Sequence, residues 1–342
     1  MKIAVDAMGG DFAPKEIVVG SIQAARELDC EIFLVGDTEK IQTALDQTGG
    51  IQGLPITIVP ATEVIGMGEH PVTAVRRKKD SSVVVATRMV KEGKADVVLS
   101  AGSTGAAVAA AQFILGRIKG IDRPTIATPM PTPKGVTLLL DSGANVDSKP
   151  KHLVQSALMG SLYAELVFGV QSPRVGLLNI GEEETKGNEQ AQTTYPLLKK
   201  MKTVHFMGNA EGRDIPQGNF DVVVCDGFVG NIVLKFAESL AKILVKLFRE
   251  AIDDGGFLAK LGAFLLLPTL KKFGKRIDVT EYGGAPLLGV KGCCIIAHGS
   301  SRAKSIFSAL RVANAYAQTD VIGRISESLL KEEMLLDDPK ES

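Results

Sequence analysis

The sequence predicts an α/β fold: a mainly parallel sheet with helices on both faces, in two lobes. Three observations carry this. Apolar runs of strand length recur along the chain, helical stripes lie between them, and 342 residues exceed a typical single domain. The runs are Ile3–Val5, Ile32–Val35, Ile56–Val59, Val97–Leu99, Val136–Leu140, Val175–Ile180, Val222–Cys225 and Cys293–Ala297. Near-continuous apolarity marks strands covered on both faces, where a half-exposed strand would alternate. Between them, Ile17, Ile22, Ala25 and Leu28 share one helix face, as do Leu153, Ala157, Leu158, Leu162 and Leu166. "AAVAAAQFIL" and "RAKSIFSALRVA" also read as helices. No Pro/Gly/Ser-rich linker divides the chain. We place the first lobe at 1–140 together with 283–342 and the second at 141–282, joined by ordinary strands and helices.

Composition excludes several functions. The 45% hydrophobic and 23% charged residues fit a globular chain with a sizeable core. A formal net charge of zero gives no global attraction to nucleic acid, and none is expected as a partner. The four cysteines, Cys30, Cys225, Cys293 and Cys294, lack metal-type spacing and read as buried thiols of a cytoplasmic protein. Asp6 interrupts the N-terminus too early for a signal peptide, and no stretch has the ~20 apolar residues needed to span a bilayer. The P-loop, the G-x-G-x-x-G turn, H-E-x-x-H and the nucleophile elbow are all missing. No metal and no cofactor is expected.

Polar residues collect after the strands. "DAMGGD" (6–11), "SAGSTGA" (100–106), "DSGAN" (141–145), "NIGEEETKGN" (179–188), "CDGFVGN" (225–231) and "AHGSS" (297–301) each put glycine beside Ser, Thr, Asn, Asp or His. Ligands of open α/β sheets bind outside such carboxyl ends. Glycine admits close backbone approach, and a following helix offers unpaired N–H groups to an anion. Ser103 and Ser300 equally suit plain helix caps; six glycine-marked ends together favour a shared crevice. Of the histidines, His298 is best placed, whereas His70, His152 and His205 read as ordinary loop or helix residues. An anion site with lysine, histidine, asparagine and hydroxyls, and no covalent nucleophile, suits phosphate attacking an activated carbonyl.

In order and spacing these motifs, with "GGAPLLGV" (283–290), resemble the PlsX-type phosphate acyltransferases of bacterial phospholipid synthesis, from residue 1 to about residue 325. The resemblance implies an isocitrate/isopropylmalate-dehydrogenase-like fold shared with phosphotransacetylases, and a homodimer. It implies acyl transfer from acyl carrier protein to inorganic phosphate, giving acyl phosphate for an acyl-phosphate:glycerol-3-phosphate acyltransferase. A short-chain phosphotransacetylase using coenzyme A and a non-catalytic scaffold binding acyl carrier protein at the membrane are the alternatives.

For that reaction we assign Lys186 to phosphate and developing charge, with Asn188 and Asn231 as supporting donors and His298 as a donor from a neighbouring strand end. Gly102, Ser103, Thr104 and Gly105 form an anion cradle. Asn179 and Gly227 belong to the same crevice, and Asp6 and Asp226 orient donors. Glu182 can reach Lys186 if both lie on one helix face; Glu183 and Glu184 read as solvated. The helix over roughly 228–251 reads as a core or dimer-interface helix. "FLAKLGAFLLLPTLKKFGKR" (257–276) reads as a peripheral membrane contact through Leu261, Phe264, Leu265, Leu266 and Leu267, flanked by Lys271, Lys272, Lys275 and Arg276. This places the protein at the inner face of the membrane. Acidic carrier protein could dock on Arg76–Lys79, on Lys199, Lys200 and Lys202, or on the 271–276 cluster.

Overall fold

The computed structural model describes residues 1–269, 274 and 283–336. The chain opens with β1 (Lys2–Asp6), α1 (Lys15–Glu27), β2 (Glu31–Gly36), α2 (Thr38–Gln47) and β3 (Ile56–Pro60). It continues through α3 (Pro71–Arg77), α4 (Ser82–Lys91), β4 (Val97–Ser100), α5 (Thr104–Ala110), a π-helical turn (Ala111–Leu115) and β5 (Thr125–Ile126). A second set follows: β6 (Thr128–Thr132), β7 (Gly135–Leu140), α6 (Pro150–Phe168), β8 (Arg174–Asn179), α7 (Glu189–Lys200), β9 (His205–Glu211), α8 (Asp214–Gln217), β10 (Val222–Val224), α9 (Gly227–Asp254) and α10 (Gly256–Leu265). The chain then returns through β11 (Ala285–Leu288), β12 (Cys293–Ile296), α11 (Ala303–Ala317) and α12 (Val321–Leu336).

Among the described residues these strands form two sheets, β3-β2-β1-β4-β12-β11-β5 and β6-β7-β10-β8-β9. Pairing is parallel except where β11 meets β12 and β5 and where β6 meets β7. By sheet membership the chain changes sheets at Ala127, so the expected crossing at residue 140 falls at the end of a strand already in the second sheet.

Strand alternation explains the layering. Ile3 and Val5 face one core while Ala4, between them, faces another; Val97 and Leu99 flank Val98 in the same way. The first of these cores is continuous across both sheets, because Leu138, Leu140, Val175 and Val222 of the second sheet belong to it. Buried α6 fills the space between. Its Gly160 lets the helix lie close to β7 and β10: a Cβ there would stand 2.8 Å from Leu140 and from Val222. Tyr163 of α6 meets Tyr316 of α11 edge-on at 5.6 Å. Each such fully buried large side chain contributes about 1.5–3 kcal/mol, so the two sheets share one stabilising interior.

The sequence pattern misses four strands: β5, β6, β9 and β11. Three lie at sheet edges, where one face or one ladder is open and apolar runs are not required. β6 even carries Pro129 and Pro131, tolerated because an edge strand can forgo ladder donors.

Helix α9 departs from the core-helix expectation. Only Gly227 and Gly230 of it are buried. Ile232, Phe236, Leu244, Leu247 and Phe248 are all more than half exposed, and Phe257, Leu258 and Leu265 on α10 more than two-thirds.

Candidate active site

Three clusters of the expected residues emerge. The first lies where β1 and β4 end side by side, Asp6 beside Ser100 in register. Asp6 is buried, and Ser100 donates its hydroxyl to the Asp6 carboxylate at 2.7 Å. The backbone N–H of Gly102 donates to Ser100 Oγ at 3.1 Å. Burial pushes the Asp6 carboxyl up, while hydrogen bonds from Ser82 and Ser100 pull it back. Asp6 therefore orients the Ser100–Gly102 turn. Gly9 must be glycine, because a Cβ would stand 2.5 Å from Asp6 Oδ2 and 2.7 Å from Gly102 N. Ser103 caps α5, accepting from Ala106 N at 3.4 Å, with Thr104 as the first helical residue and Gly105 against Pro71 of α3. The small recess here is lined by Asp6, Gly9, Ser82, Ser100, Gly102 and Ser103 on its polar side and by Val64, Ile65, Val83 and Ala106 on its apolar side.

The second cluster joins the two sheets. Asp226 caps α9 by accepting from Val229 N at 2.9 Å. The first turn of α9 is pressed onto loop 141–145: Gly227 N donates to Asn145 O at 2.8 Å, and a Cβ on Gly230 would collide with the Asp141 carbonyl oxygen. Asn231 is exposed, with its side chain beside Gly143 at 3.7 Å from where a Cβ would stand. One turn on, Lys235 reaches across to the loop after β12, its Nζ 2.6 Å from His298 Nε2. The other ring nitrogen of His298 stands 2.8 Å from Ser300 Oγ. Because an ammonium can only donate, Nε2 accepts from Lys235, while Nδ1 accepts from the Ser300 backbone N–H at 3.1 Å and also faces the Ser300 hydroxyl. Burial first, then the Lys235 charge, hold His298 below its ordinary value.

Asp141, absent from the expected site, organises this junction. Its buried carboxylate accepts from the backbone N–H groups of Ile126, Gly143, Ala144 and Asn145 and from Asn145 Nδ2, at 2.7–3.1 Å. Burial pushes its carboxyl up against those donors. Lys235 was missed as well. The available signal was its position four residues after Asn231, which puts both on one face of α9.

The third cluster is the loop after β8. Lys186 is exposed and its stem lies beside Gly181. Asn179 donates to the Lys186 carbonyl at 3.1 Å, and Asn209 donates to that of Glu183 at 2.8 Å. Asn188 caps α7 by accepting from Ala191 N at 2.9 Å. Residues 181–187 are turns and bends rather than helix, so Glu182 does not share a helix face with Lys186; it pairs with Arg213 at 3.0 Å. Glu184 pairs with Lys199 at 2.6 Å. The amide of Gln190 donates to the Ser148 carbonyl, tying this loop to the 141–149 segment.

The other candidate groups have structural roles. His70 and His152 sit at helix N-termini, with Nδ1 near Thr73 Oγ1 and accepting from Lys149 N respectively. His205 pairs with Ser172. All four cysteines are free, and burial pushes the thiols of Cys293 and Cys294 up to about 12, which leaves them inert as nucleophiles.

A family model described as "Fatty acid synthesis protein" matches residues 1–324. The chain belongs to this family. Similar relatives, each named "Phosphate acyltransferase", include one from Desulfitobacterium hafniense (strain Y51), 58% identical over 96% of this chain and 97% of that protein. Another, from Synechocystis, is 54% identical over 96% of this chain and 94% of its own. Among solved structures, a phosphotransacetylase from Streptococcus pyogenes superposes with a TM-score of 0.62 at 17% identity, covering 93% of this chain and 94% of that one. EutD phosphotransacetylase from Staphylococcus aureus gives 0.61 at the same identity and coverage. The chain thus has the fold of those phosphotransacetylases.

Proposed function

We propose that this chain is an acyltransferase that moves a fatty acyl group from acyl carrier protein to inorganic phosphate, giving acyl phosphate for phospholipid synthesis. The observation that carries this is the identity of 51–58% to relatives named phosphate acyltransferase, over 95–98% of the chain. The strand-end geometry supports it. A phosphate oxygen attacks the thioester carbonyl, the tetrahedral oxyanion collapses, the carbon–sulfur bond breaks and the carrier leaves as a thiolate. Chemistry of this kind needs an anion held in line and an oxyanion stabilised, and fixed donors supply both.

Lys186, standing on a loop braced by Asn179 and Asn209, carries the charge for phosphate. The Gly102–Gly105 turn, with Ser103 and Thr104, offers N–H and hydroxyl donors. Asn231 and the Lys235–His298 pair present further donors from the second sheet and the first. Asn188, Asp226 and Gly227 hold the helix starts that frame the crevice, and Asp6 fixes the Ser100–Gly102 turn. The decisive experiment follows thiol release from long-chain acyl carrier protein as phosphate is added, beside acetyl-coenzyme A. Phosphate-dependent release from the first donor supports the reading; release from acetyl-coenzyme A alone, or from neither, overturns it.

The exposed apolar surfaces of α9 and α10 fit two uses. A monomer rarely leaves so much contiguous apolar area open. We assign α9 to a homodimer interface and Leu261, Phe264, Leu265, Leu266 and Leu267 to a peripheral contact on the cytoplasmic face of the membrane. No helix among the described residues is long and apolar enough to cross one. The basic residues expected to flank this contact, 271–276 apart from Gly274, lie outside the described residues. A membrane position would hand acyl phosphate, an amphiphile, to the glycerol-3-phosphate acyltransferase that consumes it. The two sheets correspond to two lobes, the first built from both ends of the chain.

A further inference from the structure

Three basic clusters stand out in the sequence, and they differ once folded. In the Lys199–Lys202 cluster, Lys199 is neutralised by Glu184 at 2.6 Å. The 271–276 cluster lies outside the described residues. In the cluster at the end of α3, Lys78 is paired with Glu69 at 2.7 Å, while Arg76, Arg77 and Lys79 are exposed and, among the described residues, form no ion pair with a carboxylate. Arg76 is not loose: its guanidinium lies 4.9 Å from the ring centroid of Phe113, which is itself 50% exposed. Stacking presets the guanidinium, so less side-chain freedom is lost when a carboxylate binds it.

Location adds the second argument. Helix α3 begins against the Ser103 turn: Pro71 Cγ stands 2.6 Å from where a Cβ on Gly105 would be. Just before it, Met67 reaches the other strand end, with Cε 2.5 Å from the corresponding point on Gly299. The segment leading into α3 therefore leans on both the Ser103 and the His298 strand ends. At 1.5 Å per residue, the seven residues of α3 put its basic end only ~10 Å beyond that contact.

We propose that the C-terminal end of α3, with Arg76, Arg77, Lys79 and the Phe113 ring, is the docking surface for an acidic carrier protein. Its thioester arm enters the crevice past the 67–71 segment. The proposal rests on the acyl-transfer reading above. Cations without internal partners attract an acidic surface at long range, and the aromatic ring gives the contact an apolar anchor. Such a surface weakens with salt, since exposed charges are screened beyond ~8–10 Å at physiological ionic strength.

The test uses Arg76→Glu/Arg77→Glu, with Arg77→Glu alone as the milder variant should stacking on Phe113 matter for folding, and Lys199→Glu/Lys200→Glu as the control cluster. Binding of acyl carrier protein is followed by fluorescence anisotropy, and turnover is compared between acyl carrier protein and the S-acyl-pantetheine of the same chain length. The α3 variants should weaken carrier binding and raise KM for acyl carrier protein by about tenfold or more, with kcat and turnover of S-acyl-pantetheine within about twofold. The control should bind as wild type. Unchanged carrier binding in both α3 variants overturns the proposal, as does an equal loss with S-acyl-pantetheine. Loss of co-sedimentation with anionic phospholipid vesicles, with carrier binding intact, would assign the patch to the membrane and also overturn it. Wild-type protein that binds carrier yet releases no thiol with phosphate would overturn the acyl-transfer reading alone, since docking is still read from the binding constants.

Discussion

Lys186 owes its candidacy to what surrounds it rather than to any pairing of its own. Glu182, the partner the sequence offers it, turns instead to Arg213, and Glu184 pairs with Lys199. With the loop braced by Asn179 and Asn209, the ammonium stays available for an anion. Lys186→Ala should lower kcat/KM by about a hundredfold, the scale for removing one oxyanion-stabilising donor, and leave the Tm unchanged; steady-state thiol release and a melting curve check both. His298 makes the second residue-scale prediction. Its value is depressed by burial and by Lys235, with Lys242 adding to the effect and Glu238 and Asp11 opposing it. If the neutral ring is the working form, activity falls on acidification only below 6.5, and Lys235→Met moves that limb toward higher pH. The same depression costs stability as pH drops from 6.5 toward the folded value, where the unfolded chain takes up a proton first, and costs none above it. A pH–rate profile of wild type and variant reads the shift.

Helix α9 is positioned by its first turn on the 141–145 loop and by Val233, Leu234 and Ala237, which pack against the second sheet's core around Leu139 and Val223. Gly227 and Gly230 let the helix sit on the 141–145 loop, and Asp141 holds that loop through four backbone donors and one amide. Gly230→Ala would drive a methyl into the Asp141 carbonyl, so we expect a loss of about 1–3 kcal/mol in stability by chemical denaturation, with activity lost alongside. Asp141→Asn keeps the shape but turns donor groups toward N–H donors; about 1–3 kcal/mol is again expected. Neither contact could be read from the sequence. "DGFVGN" shows that glycine is needed, but the oxygen that demands it comes from a loop some eighty residues away. What was legible was the class of each strand end, because burial on both faces imposes continuous apolarity. The edge strands β5, β6 and β9 escaped because an edge relaxes that demand. Lys235 escaped because its partner, His298, belongs to the other sheet.

The molecule as a whole combines a shared interior between two sheets with an unshared apolar exterior on α9 and α10. Burial on both faces of the inner strands follows from their continuous apolar runs; the use of the exterior does not, since the same leucines would serve a core, a dimer or a membrane. Exposure on the folded chain removes the first of these. Leu265→Glu/Leu266→Glu should reduce co-sedimentation with anionic vesicles at least about fivefold while leaving thiol release in solution unchanged, and retention of vesicle binding would count against a membrane contact there. The central claim, that a crevice of strand ends brings phosphate to a carrier-bound acyl group, is tested most directly by incubating the purified protein with long-chain acyl carrier protein and titrating inorganic phosphate. The account predicts stoichiometric appearance of free carrier thiol and acyl phosphate, both saturating with phosphate. Thiol release that is absent, or that does not depend on phosphate, would contradict it.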